Sequence, residues 1–210
     1  RPHQREALLA CMESPNGIIH HATGAGKSAT VAALALVYRV RWLVLVPTTN
    51  LVHQFAAEFE RWASHVGRAE KAGKLGDGSW DVRRFTVATY QSMLADLRRP
   101  SPKFPWTDVQ AVDFDECHLS AAQSVWRIAT NLTGTYWRYG TSATAFERGD
   151  NKSLLVMAAT GPVLHRADLR SLHEAGVLAL PMVKFCRHRL PNCEEGEYAD
   201  AYKVCVEQNA

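Results

Sequence analysis

Apolar and polar positions alternate between two patterns along this chain. Short runs dominated by apolar residues at 17–21, 41–46, 84–89, 109–114 and 136–141 are bounded by turn residues, which predicts buried strands. Helix-length stretches separate them, at 4–12, 27–38, 50–64, 91–97 and 120–130, with a further helix at 168–174 closed by Gly176. The stretch 27–38 is alanine-rich and apolar enough to be buried, whereas 50–64 is amphipathic. Ser14-Pro15-Asn16-Gly17 stops the first helix, and Pro47 ends the second strand. Residues 66–82, rich in Gly, Lys and Asp, read as a loop or hairpin between two units, and 136–141 is the last strand of the set. Residues 181–190 read as extended and leading out of the domain. Strands alternating with helices predict βαβ crossovers, and so an α/β fold with a parallel sheet covered on both faces.

Composition narrows the class. With 210 residues, 47% apolar and 21% charged, the chain is an ordinary globular protein of one generous domain, or one domain and the beginning of another. The net charge of +3 is too small to announce a nucleic-acid partner, but its distribution is uneven. Residues 61–103 hold nine Lys or Arg against four Asp or Glu, a local +5, whereas 193–210 hold one against five. No apolar run reaches membrane-spanning length and no signal-peptide pattern opens the chain, so no membrane partner is expected. Five cysteines, at 11, 117, 186, 193 and 205, form no Cys-x-x-Cys pair, and Cys186, His188 and Cys193 lack zinc spacing. A reducing, cytoplasmic setting is expected. The chain opens on Arg1 rather than Met, as an excised piece would.

Candidate chemistry begins at Ala22-Thr23-Gly24-Ala25-Gly26-Lys27-Ser28, placed between a strand and a helix. Gly24 and Gly26 allow backbone N–H groups to turn around a phosphate, and the helix start presents its positive dipole end. Lys27 can reach β- and γ-phosphates, and the Ser28 hydroxyl can bind Mg²⁺. The strict pattern wants Gly six positions before Lys27, and His21 stands there. His20 and His21 adjoin in a strand and so face opposite ways, one toward core and one toward loop.

Asp115-Glu116-Cys117-His118 follows the apolar strand 109–114, at the carboxyl end where parallel sheets place their ligands. Nucleotide hydrolysis needs one carboxylate for Mg²⁺, which suits Asp115, and one to orient or deprotonate water, which suits Glu116. An Asp-Glu pair by itself more often caps a helix, but downstream of a phosphate loop it gains specificity. Asp113, in a strand that should be buried, needs a partner.

The ordered set resembles the first RecA-like domain of superfamily-two helicases and translocases. Arg1-Pro2-His3-Gln4 is similar to the adenine-reading Q motif, residues 22–28 to motif I, and residues 46–55 to motif Ia. Residues 87–92 resemble a later nucleic-acid segment, the Asp-Glu-Cys-His box motif II, and Thr141-Ser142-Ala143-Thr144-Ala145 motif III. The box, Gly161-Pro162-Val163 and the segment 174–178 look closest to repair-type helicases similar to XPB and to phage branch-migration helicases. Restriction-enzyme translocase subunits share the same segments.

The resemblance implies a three-layer RecA-like P-loop domain over 1–185, with a linker and the start of a second such domain over 186–210. It implies ATP and Mg²⁺ as cofactors, with Gln4, Thr23, Gly24, Ala25, Gly26, Lys27 and Ser28 on the nucleotide, Ser28 and Asp115 on the metal, and Lys27, Asp115 and Glu116 in catalysis. Pro47, Thr48, Thr49 and Thr89 would touch a nucleic-acid backbone, DNA favoured over RNA, and His118, Ser142 and Thr144 would couple the two sites. The basic surplus in 61–103 agrees with a phosphate-tracking face, or is a solvated surface. Trp62, Trp80, Trp106, Trp126 and Trp137 could stack on bases, with packing the default for each. No Gln-x-x-Gly-Arg-x-x-Arg segment carrying an arginine finger follows Ala145, so nucleotide binding with poor hydrolysis is expected of this chain alone. The competing readings are a restriction-type translocase domain and a non-motor nucleic-acid-binding module with a residual nucleotide site. A small-molecule kinase is disfavoured by motifs Ia and III together.

Overall fold

In the computed structural model, which describes residues 1–76, 78–118, 123–144 and 152–180, the predicted alternation becomes one eight-stranded sheet. The elements run α1 (Pro2–Glu13), β1 (Asn16–His21), α2 (Lys27–Tyr38), β2 (Trp42–Val46), α3 (Thr49–His65), β3 (Gly73–Gly76), β4 (Ser79–Asp81) and β5 (Phe85–Thr89). Then come α4 (Tyr90–Leu97), β6 (Ala111–Asp115), α5 (Gln123–Asn131), β7 (Trp137–Ser142), α6 (Lys152–Thr160), β8 (Val163–Ala167) and α7 (Leu169–Glu174). Strand order is β4-β3-β5-β2-β6-β7-β1-β8. Every pairing is parallel except β3 with β4, so the segment 66–82 holds a hairpin, as its composition predicts.

The central strands are buried on both faces, and alternate residues feed two cores. On one face Ile19, Trp42, Val44, Phe85, Val87 and Tyr139 meet the apolar sides of α1, α2 and α3. On the other, Ile18, Leu43, Leu45, Ala88, Val112 and Phe114 meet α4, α5 and α6. This gives the three layers the resemblance implies. The Tyr139 hydroxyl donates to the carbonyls of Cys11 (2.7 Å) and Ser14 (3.0 Å), tying the end of α1 to the sheet.

Two elements are not legible in the apolar pattern. The strand 136–141 does not complete the set: β8 lies beyond β1, on the sheet edge. Its sequence Val-Leu-His-Arg-Ala has no apolar run because an edge strand is only partly covered. The nine-residue α6 precedes it, apolar almost throughout and without a clear stripe. The unit Arg1–Ala179 is compact by itself. The expectations for 181–190 and 186–210 fall outside the described residues. No helix among the described residues is long and apolar enough to cross a membrane.

Candidate nucleotide site

Strand order sets the position of the site. The loop after β1 and the carboxylates after β6 flank the end of β7, so all three converge at the carboxyl edge of the sheet. A cleft of about 410 Å³ opens there, lined by Thr23, Gly24, Gly26, Lys27, Ser28, Asp115 and Glu116. Leu51, Gln54 and Phe55 of α3 form its remaining wall.

The loop has the geometry of a phosphate cradle. Gly24 and Gly26 have φ of 82° and 85°, a left-handed conformation costly for any residue with a Cβ. A Cβ on Gly26 would also lie 2.4 Å from Gln4 Nε2. Gln4 Nε2 donates to the Gly26 carbonyl at 3.1 Å, and His3 Nε2 lies 2.9 Å from the carbonyl oxygen of buried Ala25. These two bonds from α1 take up the Ala25 and Gly26 carbonyls, while the Ala25 N–H closes a turn onto the Ala22 carbonyl at 3.1 Å. Lys27 Nζ is folded back onto the His21 carbonyl at 3.3 Å. Gln4 thus acts here through the loop backbone, and Ala25 faces away from the cleft into a small cluster with Ala167 and Leu172.

His21 is fully buried and belongs to a ladder that no local pattern announces. Its Nε2 lies 2.8 Å from His165 Nδ1 on the neighbouring edge strand, and His165 Nε2 lies 3.3 Å from Glu6 Oε2. The His3 ring meets His21 edge-on at 5.5 Å. Burial, reinforced by the neighbouring His165, His3 and Lys27, pushes the His21 imidazole down to about 3, so it stays neutral. His20 is part-buried, with Nε2 3.0 Å from the Ala143 carbonyl. The alternation read from the sequence is therefore present.

Four side chains hold the acidic pair: Tyr90 and Thr141 on Asp115, and Ser142 and His118 on Glu116. Asp115 is 4% exposed, and its backbone carbonyl accepts the Tyr90 hydroxyl at 2.8 Å. Burial and the adjoining Glu116 charge push its carboxyl up to about 6, against the lowering effect of the Thr141 hydroxyl. Thr141 on β7 lies 3.0 Å from Asp115 Oδ1 and 3.3 Å from Asp113 Oδ2. This hydroxyl is the partner Asp113 requires, but it carries one proton for two carboxylates. Burial raises the Asp113 carboxyl well above the usual carboxylate range, and the one Thr141 hydroxyl is shared between the two acids. Asp113 Oδ1 has no partner among the described residues, a polar group left unsatisfied behind the site.

Glu116 has φ +50°, a left-handed conformation uncommon for a side chain of this size. Such strain is held in place by its surroundings and clusters where it serves a site. Ser142 Oγ lies 3.4 Å from Glu116 Oε2, and His118 Nδ1 lies 3.2 Å from the same oxygen. His118 Nδ1 also meets Ser142 Oγ at 2.9 Å and Thr144 Oγ1 at 3.5 Å, while Ser142 Oγ accepts from the Thr144 N–H at 3.1 Å. The three residues expected to couple the sites therefore form one network with Glu116. Tyr90 and Thr141 complete the site although neither stands out in the sequence; each lies inside a quoted segment, but its partner is set by strand order.

The residues expected on a nucleic-acid backbone divide into two kinds. Pro47 is half-buried, and Thr48 and Thr49 are exposed at the start of α3. Thr89 is 4% exposed, and its hydroxyl caps α4 by accepting from the Ser92 N–H at 3.1 Å. Among the described residues, five of the cations in 61–103 have carboxylate partners: Arg61 with Glu58, Lys71 with Glu60, Arg83 with Asp81, Arg84 with Glu70 and Arg99 with Asp96. The local surplus is in part a solvated, self-paired surface.

A family model described as "Type III restriction enzyme, res subunit" matches residues 1–160. The DNA 3'-5' translocase XPB2 of Sulfurisphaera tokodaii is 29% identical over 172 residues, covering 82% of this chain and 36% of that protein. The ATP-dependent DNA helicase uvsW of Enterobacteria phage T4 is 28% identical over 155 residues, covering 67% of this chain and 29% of that protein. The crystal structure of the UvsW helicase from bacteriophage T4 superposes with a TM-score of 0.67 at 24% identity, covering 80% of this chain and 60% of the other. The chain spans about a third of the length of the curated relatives it matches.

Proposed function

Because this chain belongs to the family described as Type III restriction enzyme, res subunit, we propose that it is the nucleotide-binding half of an ATP-driven motor that moves along DNA. The observation that carries this reading is the convergence of Lys27, Ser28, Asp115 and Glu116 on one cleft, with Glu116 held in a strained conformation by its surroundings. The names of the relatives, a DNA translocase and a DNA helicase, favour DNA as the track.

The residues present fit Mg²⁺ and a nucleotide. The left-handed glycines give the loop a turn that is costly for any residue with a Cβ, and Ser28 and Asp115 offer the oxygen donors a hard cation takes. Bound Mg²⁺ would neutralise charge on the phosphates during transfer. Lys27 turns from the His21 carbonyl to the β- and γ-phosphates. Thr141, fixed by Asp113, orients Asp115. Glu116 accepts the proton of the attacking water, with Ser142 and His118 holding its carboxylate. Movement of the Ser142–Thr144 strand end would then reach Glu116 directly, which gives coupling a physical route. Thr48 and Thr49 hold backbone phosphates by their hydroxyls and the N–H groups of the α3 start, while Thr89 sets the start of α4. A second RecA-like domain supplies an arginine to the opposite side of the nucleotide.

Glu116→Gln tests this in the longest chain that carries the domain. The amide keeps the size of the side chain and cannot take the proton, so ATP binding persists while DNA-stimulated turnover falls by about a hundredfold or more. A variant that turns over ATP at the original rate would remove Glu116 from the chemistry.

A further inference from the structure

The β3–β4 hairpin lies at the extreme edge of the sheet, and its tip reaches the residues assigned to the track. Gly76 has φ +145°, and a Cβ there would lie 3.3 Å from Thr89 Cγ2 and 3.7 Å from Thr49 Cγ2 and Ser92 Oγ. The tip is thus in van der Waals reach of the starts of both α3 and α4. Register extends this outward: Ala88 faces Leu75 on β3, and Leu75 faces Trp80 on β4. Trp80 therefore stands two strand spacings, about 10 Å, from the residue before Thr89.

Trp80 differs from Trp62, Trp106 and Trp137, which pack; Trp126, 40% exposed, lies on α5 and not on this edge of the sheet. Trp106 is buried with its Nε1–H on Asp96, Trp62 donates to Glu58, and Trp137 stacks on Tyr38. Trp80 is 38% exposed, on a strand with no outer neighbour among the described residues. Its ring is backed by Arg99, whose guanidinium carbon lies 5.5 Å from the ring centroid. Arg99 is itself anchored at 3.4 Å to Asp96, a fully buried carboxylate that accepts from the N–H groups of Lys103 and Phe104 and from Trp106. The nearby carboxylate Asp81 is taken by Arg83 at 2.8 Å. An exposed apolar ring stacked on one anchored cation, with the neighbouring Asp81 paired to Arg83, suits a planar partner attached to a phosphate chain.

We propose that Trp80, backed by Arg99, is a stacking platform for an unpaired base of a strand whose backbone follows Thr48, Thr49 and Gly76 at the end of β3. This rests on the reading of that edge as a nucleic-acid track. It makes the hairpin selective for unpaired over fully paired DNA, because a base inside a duplex has no free face to stack.

The test measures binding of an oligothymidylate strand and of a blunt duplex of equal length by anisotropy across a salt series, for the chain and for Trp80→Ala, Trp80→Phe and the double variant Thr48→Ala/Thr49→Ala. Trp80→Ala is expected to weaken single-strand binding about tenfold while leaving duplex binding and the salt slope unchanged, since the indole neutralises no phosphate. Trp80→Phe should retain most of the affinity, and circular dichroism of both variants confirms that the hairpin change leaves the fold intact. Unchanged single-strand affinity in Trp80→Ala, with loss in the threonine variant, overturns the platform and leaves the track standing. Equal loss on both DNAs with a shallower slope, or a Trp80→Phe variant as weak as Trp80→Ala, also overturns it. No effect from any variant removes the track and the platform together.

Discussion

The two ends of the carboxyl edge are built in opposite ways. Around the β1–β7–β6 crevice the polar groups are buried, strained and bonded to one another: His21 to His165, Asp113 through Thr141 to Asp115, and His118 and Ser142 to Glu116. Around β5, β3 and β4 the equivalent groups are exposed hydroxyls, paired surface cations and one half-open indole. A site that stabilises charge in a reaction needs dipoles fixed before the substrate arrives. A track that slides needs contacts that form and break with little reorganisation, and exposed hydroxyls and cations supply those. Burial is thus concentrated where the chemistry is proposed, whereas at the other end Thr48 and Thr49 lie open and Thr89 is buried as a helix cap.

If that contrast is right, the largest effect belongs to the buried end. Lys27→Ala should weaken Mg-ATP binding by about a hundredfold, because Lys27 supplies the charged bond to the terminal phosphates from within the cleft. Titration with a fluorescent ATP analogue checks this, and an unchanged affinity would make the loop a structural turn.

The histidine ladder should make the same end sensitive to acid. His21 is held near 3 in the fold, against about 6.5 when unfolded, so the unfolded chain binds more protons between these values. Its contribution is complete above about pH 6.5 and is lost as pH falls toward 3, with a limiting slope of about 1.4 kcal/mol per pH unit. Urea unfolding at pH 7 and again near pH 5 should show a loss of a few kcal/mol at most, and a His21→Leu variant should flatten the difference.

At the exposed end Thr89→Ala separates position from contact. Loss of the α4 cap should cost about 1 kcal/mol of stability by urea unfolding, with DNA affinity little changed. A larger loss of affinity than of stability would show the hydroxyl meeting the strand itself.

The smallest signal is the salt slope of this end. With about two to four phosphates engaged, the slope of log affinity against log salt on a random duplex should be about −2 to −4. A flat salt series, or strong discrimination between sequences of equal length, would replace phosphate contacts with base reading and erase the contrast between the two ends.

Much of this molecule is written locally. The glycine spacing before Lys27, the apolar run before Asp115 and the Thr48–Thr49 pair after Pro47 each specify a strand end and the turn or helix beyond it, because backbone sterics and burial act over a few residues. The order of those segments was enough to place the family and the cleft. The sequence alone left β8 unread, since an edge strand has no apolar run to announce it, and so it left His165 unconnected to His21 across 144 positions. It named Asp113 as a buried acid without its partner, because Thr141 is its neighbour only once β7 lies between β1 and β6. It offered five tryptophans as candidate stacking rings without separating Trp80 from the rest. Exposure, strain at Glu116 and the pairing of carboxylates are properties of strand order and packing, and those arise only when distant segments meet.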